Sequence, residues 1–145
     1  MPLTGTFQRS LDDKQRLAIP KTLRDELAAG DDRSLFLAPE TDRSLSLFSP
    51  DVFSRRAQRL EQDPALQGRV KNYLRLYYSQ AEQVDLDAQG RIRIPERLLQ
   101  FAGLQQDVML LGVNDHVEIW DQEQWRTFLS RHEEDFDRLV GEAFA

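Results

Sequence analysis

Residues 11–20 read LDDKQRLAIP and residues 86–95 read LDAQGRIRIP, so one ten-residue motif occurs twice in the chain. Leucine, aspartate, arginine, isoleucine and proline stand at the same places in both copies, at a constant offset of 75 residues. A second match follows at an offset of 72, where LSLF at 45–48 aligns with VEIW at 117–120. Two ordered matches indicate an internal duplication, the sequence signature of a repeated structural unit.

Each copy is predicted to fold as β-turn-β-α-β-β. Polar and aliphatic residues alternate over 16–19 and 91–94, which is the period of a half-buried strand. A proline follows each strand, at Pro20 and Pro95, where it suits the first turn of a helix. Short helices are predicted over Lys21–Ala29 and Glu96–Ala102, ending near Gly30 and Gly103. The remaining strands are predicted at residues 35–37, 44–48, 108–111 and 116–120.

Helices are expected to connect the two copies and to close the chain. The connector is predicted to hold one helix over Pro50–Leu60 and a second that begins at Asp63-Pro64 and runs through Leu66 to Tyr77. Asp121 is the predicted N-cap of a single C-terminal helix with one apolar stripe: Trp125, Phe128, Leu129, His132, Phe136, Leu139, Val140 and Ala143. The predicted divisions are a first module at 1–49, the connector at 50–80, a second module at 81–125 and an acidic amphipathic helix at 121–145.

The size of each copy predicts how the two are arranged. A module of about 50 residues buries too little apolar surface to be secure alone. We therefore expect an α+β protein in which the two copies pack together around a pseudo-two-fold axis, each completing the core of the other. Such a sheet also leaves fewer open edges.

The composition is that of a globular protein, with 145 residues, 40% hydrophobic and 30% charged. The chain has no cysteine, no apolar run long enough for a membrane helix and no signal-peptide pattern, so a cytoplasmic location is expected. The net charge of −6 argues against a polyanionic partner. However, residues 101–145 carry ten acidic and three basic groups, so residues 1–100 are nearly balanced, at +1.

The shared Asp-x-x-x-Arg spacing is the best candidate for a binding motif. In each copy the aspartate, Asp12 or Asp87, can hold the arginine, Arg16 or Arg91, across a turn and fix its direction. A guanidinium held in this way can donate two hydrogen bonds to guanine O6 and N7, or bind a phosphate. A simple salt bridge that pins the turn is the alternative. Further cationic charge comes from Lys14 and Arg93.

These motifs resemble the MraZ family of bacterial regulators, which have two tandem SpoVT/AbrB-type swapped-hairpin modules. The resemblance covers about residues 3–130 and includes LYYSQA at 76–81, AGL at 102–104 and EIW at 118–120 with Trp125. It implies a swapped-hairpin β-barrel and a ring-shaped homo-oligomer. It also implies a nucleoid-associated repressor that binds double-stranded DNA at G-rich direct repeats upstream of the division and cell-wall gene cluster. The residues expected to bind DNA are Asp12, Lys14, Arg16, Asp87, Arg91 and Arg93.

One residue departs from the family pattern. Gln15 stands where the family usually has glycine, whereas the second copy keeps Gly90. Glycine adopts positive φ without a steric penalty and glutamine does not. The first loop is therefore expected to differ in shape or to hold DNA less tightly.

Other functions are less well supported by the sequence. Phosphate-loop, dinucleotide-binding, nucleophile-elbow and HExxH motifs are absent, so no enzyme, cofactor or small-molecule substrate is expected. His116 and His132 are not expected to form a metal site. The alternative function is an oligomeric protein-interaction scaffold that has lost DNA binding, which Gln15 and the acidic C-terminal region would favour. A toxin-binding antitoxin of the same fold is disfavoured because such proteins typically have one hairpin module.

Overall fold

The protein is described by a computed structural model over residues 2–28, 32–64 and 68–145. Its strands are β1 (Thr6–Ser10), β2 (Arg16–Ala18), β3 (Ser34–Pro39), β4 (Leu45–Phe48), β5 (Glu82–Asp85), β6 (Arg91–Arg93), β7 (Asp107–Val113) and β8 (His116–Asp121). Its α-helices are α1 (Lys21–Leu27), α2 (Pro50–Gln62), α3 (Lys71–Gln80), α4 (Glu96–Ala102), α5 (Gln122–His132) and α6 (Phe136–Ala143), with 3₁₀ turns at Thr41–Arg43 and Glu133–Asp135.

The strands form two antiparallel sheets that both copies build jointly. A six-stranded sheet has the order β1-β7-β8-β4-β3-β5, and β2 pairs with β6 in a separate two-stranded sheet. β1 of the first copy pairs with β7 of the second, and β5 of the second copy pairs with β3 of the first. If each strand is replaced by its counterpart in the other copy (β1 by β5, β3 by β7, β4 by β8), the same strand order results, read from the opposite edge of the sheet. The two copies therefore complete one another.

Equivalent residues of the two copies face each other in the two central pairings. Leu17 is opposite Ile92 in the β2–β6 pair, and Ser46 is opposite Glu118 in the β4–β8 pair. These partners are related by the offsets of 75 and 72 that define the duplication. Two antiparallel strands that are related by an approximate two-fold axis pair in this way. The α+β class is confirmed, whereas the closed swapped-hairpin barrel stays a prediction, since the described strands pair as two sheets.

The main hydrophobic core lies between the small sheet and one face of the large sheet. Leu17 and Ile92 of the small sheet belong to the same buried cluster as Leu47 and Ile119 of the large one. The neighbouring residues along β4 point to the opposite face, where Phe48 packs with Phe53 of α2. The large sheet therefore has one face in the core and the other covered by helices, which explains the alternating pattern in its sequence.

The second connector helix begins later than the sequence predicts. Asp63 is the C-cap of α2, which runs to Gln62, and α3 begins only at Lys71. The Asp-Pro pair is a good helix start, but proline also favours an extended residue before it, and Asp63 has the extended backbone that ends α2. The predicted stripe residue Leu66 lies outside the described residues.

The C-terminal segment is two helices instead of the predicted one. Asp121 caps α5 as expected, by accepting a hydrogen bond from the Glu123 amide. The helix then breaks at Glu133–Asp135, where α6 begins after a 3₁₀ turn. Three successive acidic residues stand at the negative end of the α5 dipole, which disfavours continuation of the helix.

The remaining helices differ little from the predicted ones. Helix α1 ends at Leu27 with Ala28 as its C-cap, and the predicted end at Ala29 and Gly30 lies outside the described residues. Helix α4 matches its predicted bounds and ends at Gly103, whose φ of 60° is left-handed. Within the described ranges, every helix is too short or too polar to cross a membrane.

Candidate nucleic-acid interface

The first aspartate–arginine turn is closed by one carboxylate. Asp12 Oδ1 accepts hydrogen bonds from the backbone amides of Lys14, at 2.9 Å, and Arg16, at 2.8 Å. Its other oxygen, Oδ2, accepts from Nε of Arg16 at 2.7 Å. The Arg16 amide is the main reason that the pKa of the Asp12 carboxyl lies below its ordinary value. One carboxylate therefore has two roles: it shapes the turn, and it orients the guanidinium.

The second turn repeats this arrangement bond for bond. Asp87 Oδ1 accepts from the amides of Gln89 and Arg91, both at 2.9 Å, and Oδ2 accepts from Nε of Arg91 at 2.8 Å. The Arg91 amide likewise lowers the pKa of the Asp87 carboxyl. In both turns the carboxylate binds Nε, the guanidinium nitrogen nearest the chain. The tip of each arginine is thereby aimed by a carboxylate at its base.

Gln15 takes the same backbone conformation as its glycine counterpart. Its φ is 63° and that of Gly90 is 76°, and each amide donates to the carbonyl of the turn's aspartate at 3.0 Å. The expected difference in loop shape is therefore wrong. Positive φ is unfavourable for a residue that has a Cβ, and Gln15 adopts it nevertheless. Its side-chain nitrogen, Nε2, donates to Glu96 Oε2 at 2.7 Å. That hydrogen bond helps to hold the residue in place.

The two turns lie side by side. Arg91 Nη1 is 3.9 Å from Asp12 Oδ2, the oxygen that holds Arg16. The carbonyl of Gly90 accepts from the Ile19 amide, and the carbonyl of Gln15 accepts from the Ile94 amide, both at 3.0 Å. Each turn is therefore fixed to the strand end of the other copy. This cross-bonding makes the two turns one rigid surface.

The outer surface of the β2–β6 pair, with the two turns, is here named the arginine face: Lys14, Arg16, Arg91 and Arg93. Arg16 and Arg93 are directly opposite one another in the ladder, so their side chains leave the same side of the sheet. Their neighbours Leu17 and Ile92 point inward and are buried. The side chains of Arg16 and Arg91 are 31% and 27% exposed, and Lys14 and Arg93 are exposed. Arg16 and Arg91 are therefore held in place by their aspartates and are still accessible from solvent.

Two arginines outside the motif support the second turn. Arg33 Nη1 donates to the Asp87 carbonyl at 2.8 Å, and Arg24 Nε donates to the Ile19 carbonyl at 2.7 Å. A search for repeated residues could not find them, because the 75-residue offset aligns Arg24 with Leu99. The Arg24 guanidinium lies against Gly90, where it fills the space that a side chain would need.

Replacing Gly90 by alanine is expected to destabilise the protein by about 1–2 kcal/mol, because a side chain at positive φ is strained. The new Cβ would also lie 2.6 Å from the Arg24 guanidinium carbon and displace it. Chemical denaturation checks this. Gly141→Ala is the matched control, since a Cβ there meets nothing within 4 Å and a negative φ accepts it. Equal stability of the two variants would contradict the packing described at Gly90.

The two histidines lie apart from the arginine face. His116 is buried on β8 beside Glu118, and His132 ends α5, where its ring is 4.5 Å from that of Phe128. Within the described ranges, one group of potential metal ligands converges, and it contains His116 with Glu40 and Glu118. Burial alone would lower the pKa of His116, but hydrogen bonds to Glu118 and Asp115 outweigh burial and raise the pKa.

The fold and this surface define a class: a small α+β protein whose duplicated halves jointly present a pair of carboxylate-held arginines. A family model for the MraZ protein, described as antitoxin-like, matches residues 77–144. The chain is 37% identical over 132 residues to the transcriptional regulator MraZ of Micrococcus luteus, covering 91% of this chain and 90% of the relative. It is 37% identical to that of Frankia alni, covering 95% and 94%, and 34% identical to that of Corynebacterium urealyticum, covering 97% and 96%. The chain therefore belongs to the MraZ family, and these three relatives are named as transcriptional regulators.

Proposed function

We propose that this protein is a sequence-specific DNA-binding transcriptional regulator, and that the arginine face is its DNA-contacting surface. The observation that carries the proposal is the pair of identical turns, joined through the 3.9 Å approach of Arg91 to Asp12. Two arginines aimed outward from one rigid surface are suited to successive bases of a duplex. Family membership supports a regulator and gives no support to an enzyme.

The chemistry of the turns fits base recognition. Each aspartate binds Nε, so the terminal nitrogens at the arginine tip can donate to guanine O6 and N7. Nη2 of Arg91 donates to Gln89 Oε1 at 2.8 Å in the free protein and would exchange that hydrogen bond for one to the base. A side chain that is already oriented loses less conformational entropy when it binds. Lys14 and Arg93 add exposed cations that can meet the phosphates on either side. Asp12 and Asp87 act as positioning residues for the arginines.

A ring-shaped homo-oligomer explains how an acidic chain holds DNA. One arginine face is a small site, but subunits in a ring repeat it at regular intervals, so several weak contacts combine on one duplex. Direct G-rich repeats are the operator that such an array would match. Large exposed apolar side chains near the C-terminus offer material for subunit contacts, namely Phe136, 69% exposed, and Phe144, 87% exposed. We further propose repression of the division and cell-wall gene cluster, on the family resemblance.

Titration of the full chain with a fluorescent duplex carrying G-rich direct repeats tests this function. We expect binding at least about 10³-fold tighter than to a random duplex of equal length. We also expect affinity to fall steeply as salt rises, because the arginine face releases counterions from phosphates. The mass of the free protein in solution, measured alongside, tests the homo-oligomer.

The competing function is an oligomeric scaffold without DNA binding. Equal affinity for the repeat and the random duplex at every salt concentration would contradict the proposed function and favour the scaffold. The left-handed conformation of Gln15 removes one of the two reasons for that alternative, because both turns keep the same shape.

A further inference from the structure

A second polar site lies on the far side of the core from the arginine face. It is formed by Glu40, after the end of β3, and by His116 and Glu118 on β8. One ligand atom from each of the three residues can be chosen so that all lie within 4.8 Å of one another. His116 is 8% exposed, so the histidine is enclosed.

The first copy carries smaller residues at the places that correspond to two of these ligands. At the 72-residue offset, His116 and Glu118 correspond to Ser44 and Ser46 of the first copy. Both serines are completely buried at the equivalent places. One copy therefore fills these positions with small neutral side chains, and the other fills them with an imidazole and a carboxylate. The difference points to a role beyond packing.

The hydrogen bonds around the site orient its ligand atoms toward one another. Asp115 Oδ1 is 2.7 Å from His116 Nδ1, and Glu118 Oε2 is 3.1 Å from Nε2. In the neutral imidazole with its proton on Nδ1, the Nε2 lone pair therefore faces Glu118 Oε2. Two acceptors at that distance need a cation between them, either a proton or a metal ion. A carboxylate behind a histidine is also the usual outer partner of a metal-bound imidazole.

Neutral donors fix the two glutamates. Trp120 Nε1 donates to Glu118 Oε1 at 3.0 Å, which leaves Oε2 toward the histidine. The Ser46 hydroxyl donates to Glu40 Oε2 at 2.8 Å. Glu40 Oε1 also accepts from the Thr41 amide at 3.0 Å, and each carboxylate keeps further lone pairs that a metal ion can use.

We propose that Glu40, His116 and Glu118 bind one divalent transition-metal ion, for which Zn²⁺ is the best match. One imidazole nitrogen and two carboxylate oxygens are ligands that Zn²⁺ accepts, with bonds of about 2.0–2.2 Å. Ligand atoms on a tetrahedral ion with such bonds lie about 3.3–3.6 Å apart. The ligand atoms, which now lie within 4.8 Å of one another, therefore move closer together when the metal binds. The proposal does not depend on DNA binding.

The positive charge of Arg56 beside Glu40 provides a way to distinguish a metal site from a network of hydrogen bonds alone. Its Nη2 lies 4.0 Å from Glu40 Oε2, and its guanidinium stacks over Phe48. A cation at that distance repels a bound metal ion. The substitution Arg56→Gln removes this positive charge, so it is expected to strengthen metal binding, although it also removes the ion pair between Arg56 and Glu40.

The test is calorimetric titration of chelator-treated full-length protein with ZnCl₂ at constant pH. The wild type binds one equivalent, and His116→Gln and Glu40→Gln each lose more than about tenfold in affinity. His132→Gln is the matched control, since it removes the other histidine, and it binds as the wild type does. Arg56→Gln binds more tightly than the wild type.

Three results would overturn the metal site. They are the absence of saturable binding at one equivalent, equal loss in the His116 and His132 variants, and unchanged affinity in both His116→Gln and Glu40→Gln. Thermal unfolding of each metal-free variant checks that it is folded. Glu40→Gln keeps the test decisive if His116→Gln does not fold, because Glu40 lies outside the strands.

Discussion

Alanine in place of Arg91 is expected to weaken binding to the G-rich repeat by about 1–3 kcal/mol for each subunit site. Arg16→Ala is expected to have a similar effect, because its aspartate makes the same three hydrogen bonds and a left-handed residue stands at the same position of its turn. Under the proposed function, each variant loses the two hydrogen bonds that its arginine would donate to a guanine edge. When several subunits bind one duplex, these losses accumulate, so the overall affinity falls further.

A fluorescence titration with the repeat duplex measures this loss, and Arg55→Ala is its matched control. Arg55 is an arginine on α2, paired with Asp51 at 3.1 Å and outside the arginine face. We expect this variant to bind within about twofold of the wild type, since exposed ion pairs contribute little. The proposed role of the arginine face would be wrong if Arg16→Ala and Arg91→Ala both bound like Arg55→Ala.

Leu17→Ala is expected to lower the free energy of unfolding by about 2–5 kcal/mol, as truncation of a fully buried leucine does. Leu17 is completely buried and is the strand partner of Ile92, so its removal leaves a cavity at the junction of the two copies. Ile92→Ala should cost a similar amount, because both residues belong to one core. Urea denaturation measures both changes.

Leu76→Ala is the matched control for this core prediction. Leu76 is 64% exposed on α3, so its truncation should change the free energy of unfolding by less than about 0.5 kcal/mol. If Leu17→Ala were as stable as Leu76→Ala, the two copies would not share the core described here.

The duplication made much of the fold predictable. The alternation at Arg16–Ala18 and Arg91–Arg93 identified both strands of the small sheet within one residue of their ends. The small size of each copy predicted that the two would complete one another, and the strand order agrees. The aspartate–arginine spacing predicted the ion pairs of both turns, because a separation of four residues suits a tight turn.

Features without a repeated counterpart were harder to predict. Asp63-Pro64 carries both a helix-start and a helix-end signal, and the extended backbone of Asp63 shows that it ends α2. The break before α6 falls at three successive acidic residues, Glu133–Asp135, and the spacing of apolar residues gives no information about their charge. Gln15 is held in the left-handed turn by the other copy, because its carbonyl accepts from the Ile94 amide and its side chain donates to Glu96. Long-range contacts of this kind are not present in local sequence patterns.

The most direct test of the central claim uses DNA in which 7-deazaguanine replaces guanine in the repeats. This base lacks N7, one of the two acceptors that an arginine tip would bind. We predict that the wild type binds the modified duplex more weakly, whereas the Arg16→Ala, Arg91→Ala double variant shows no further loss. If the modification weakened both proteins equally, or neither, the two arginines would not be the groups that contact guanine.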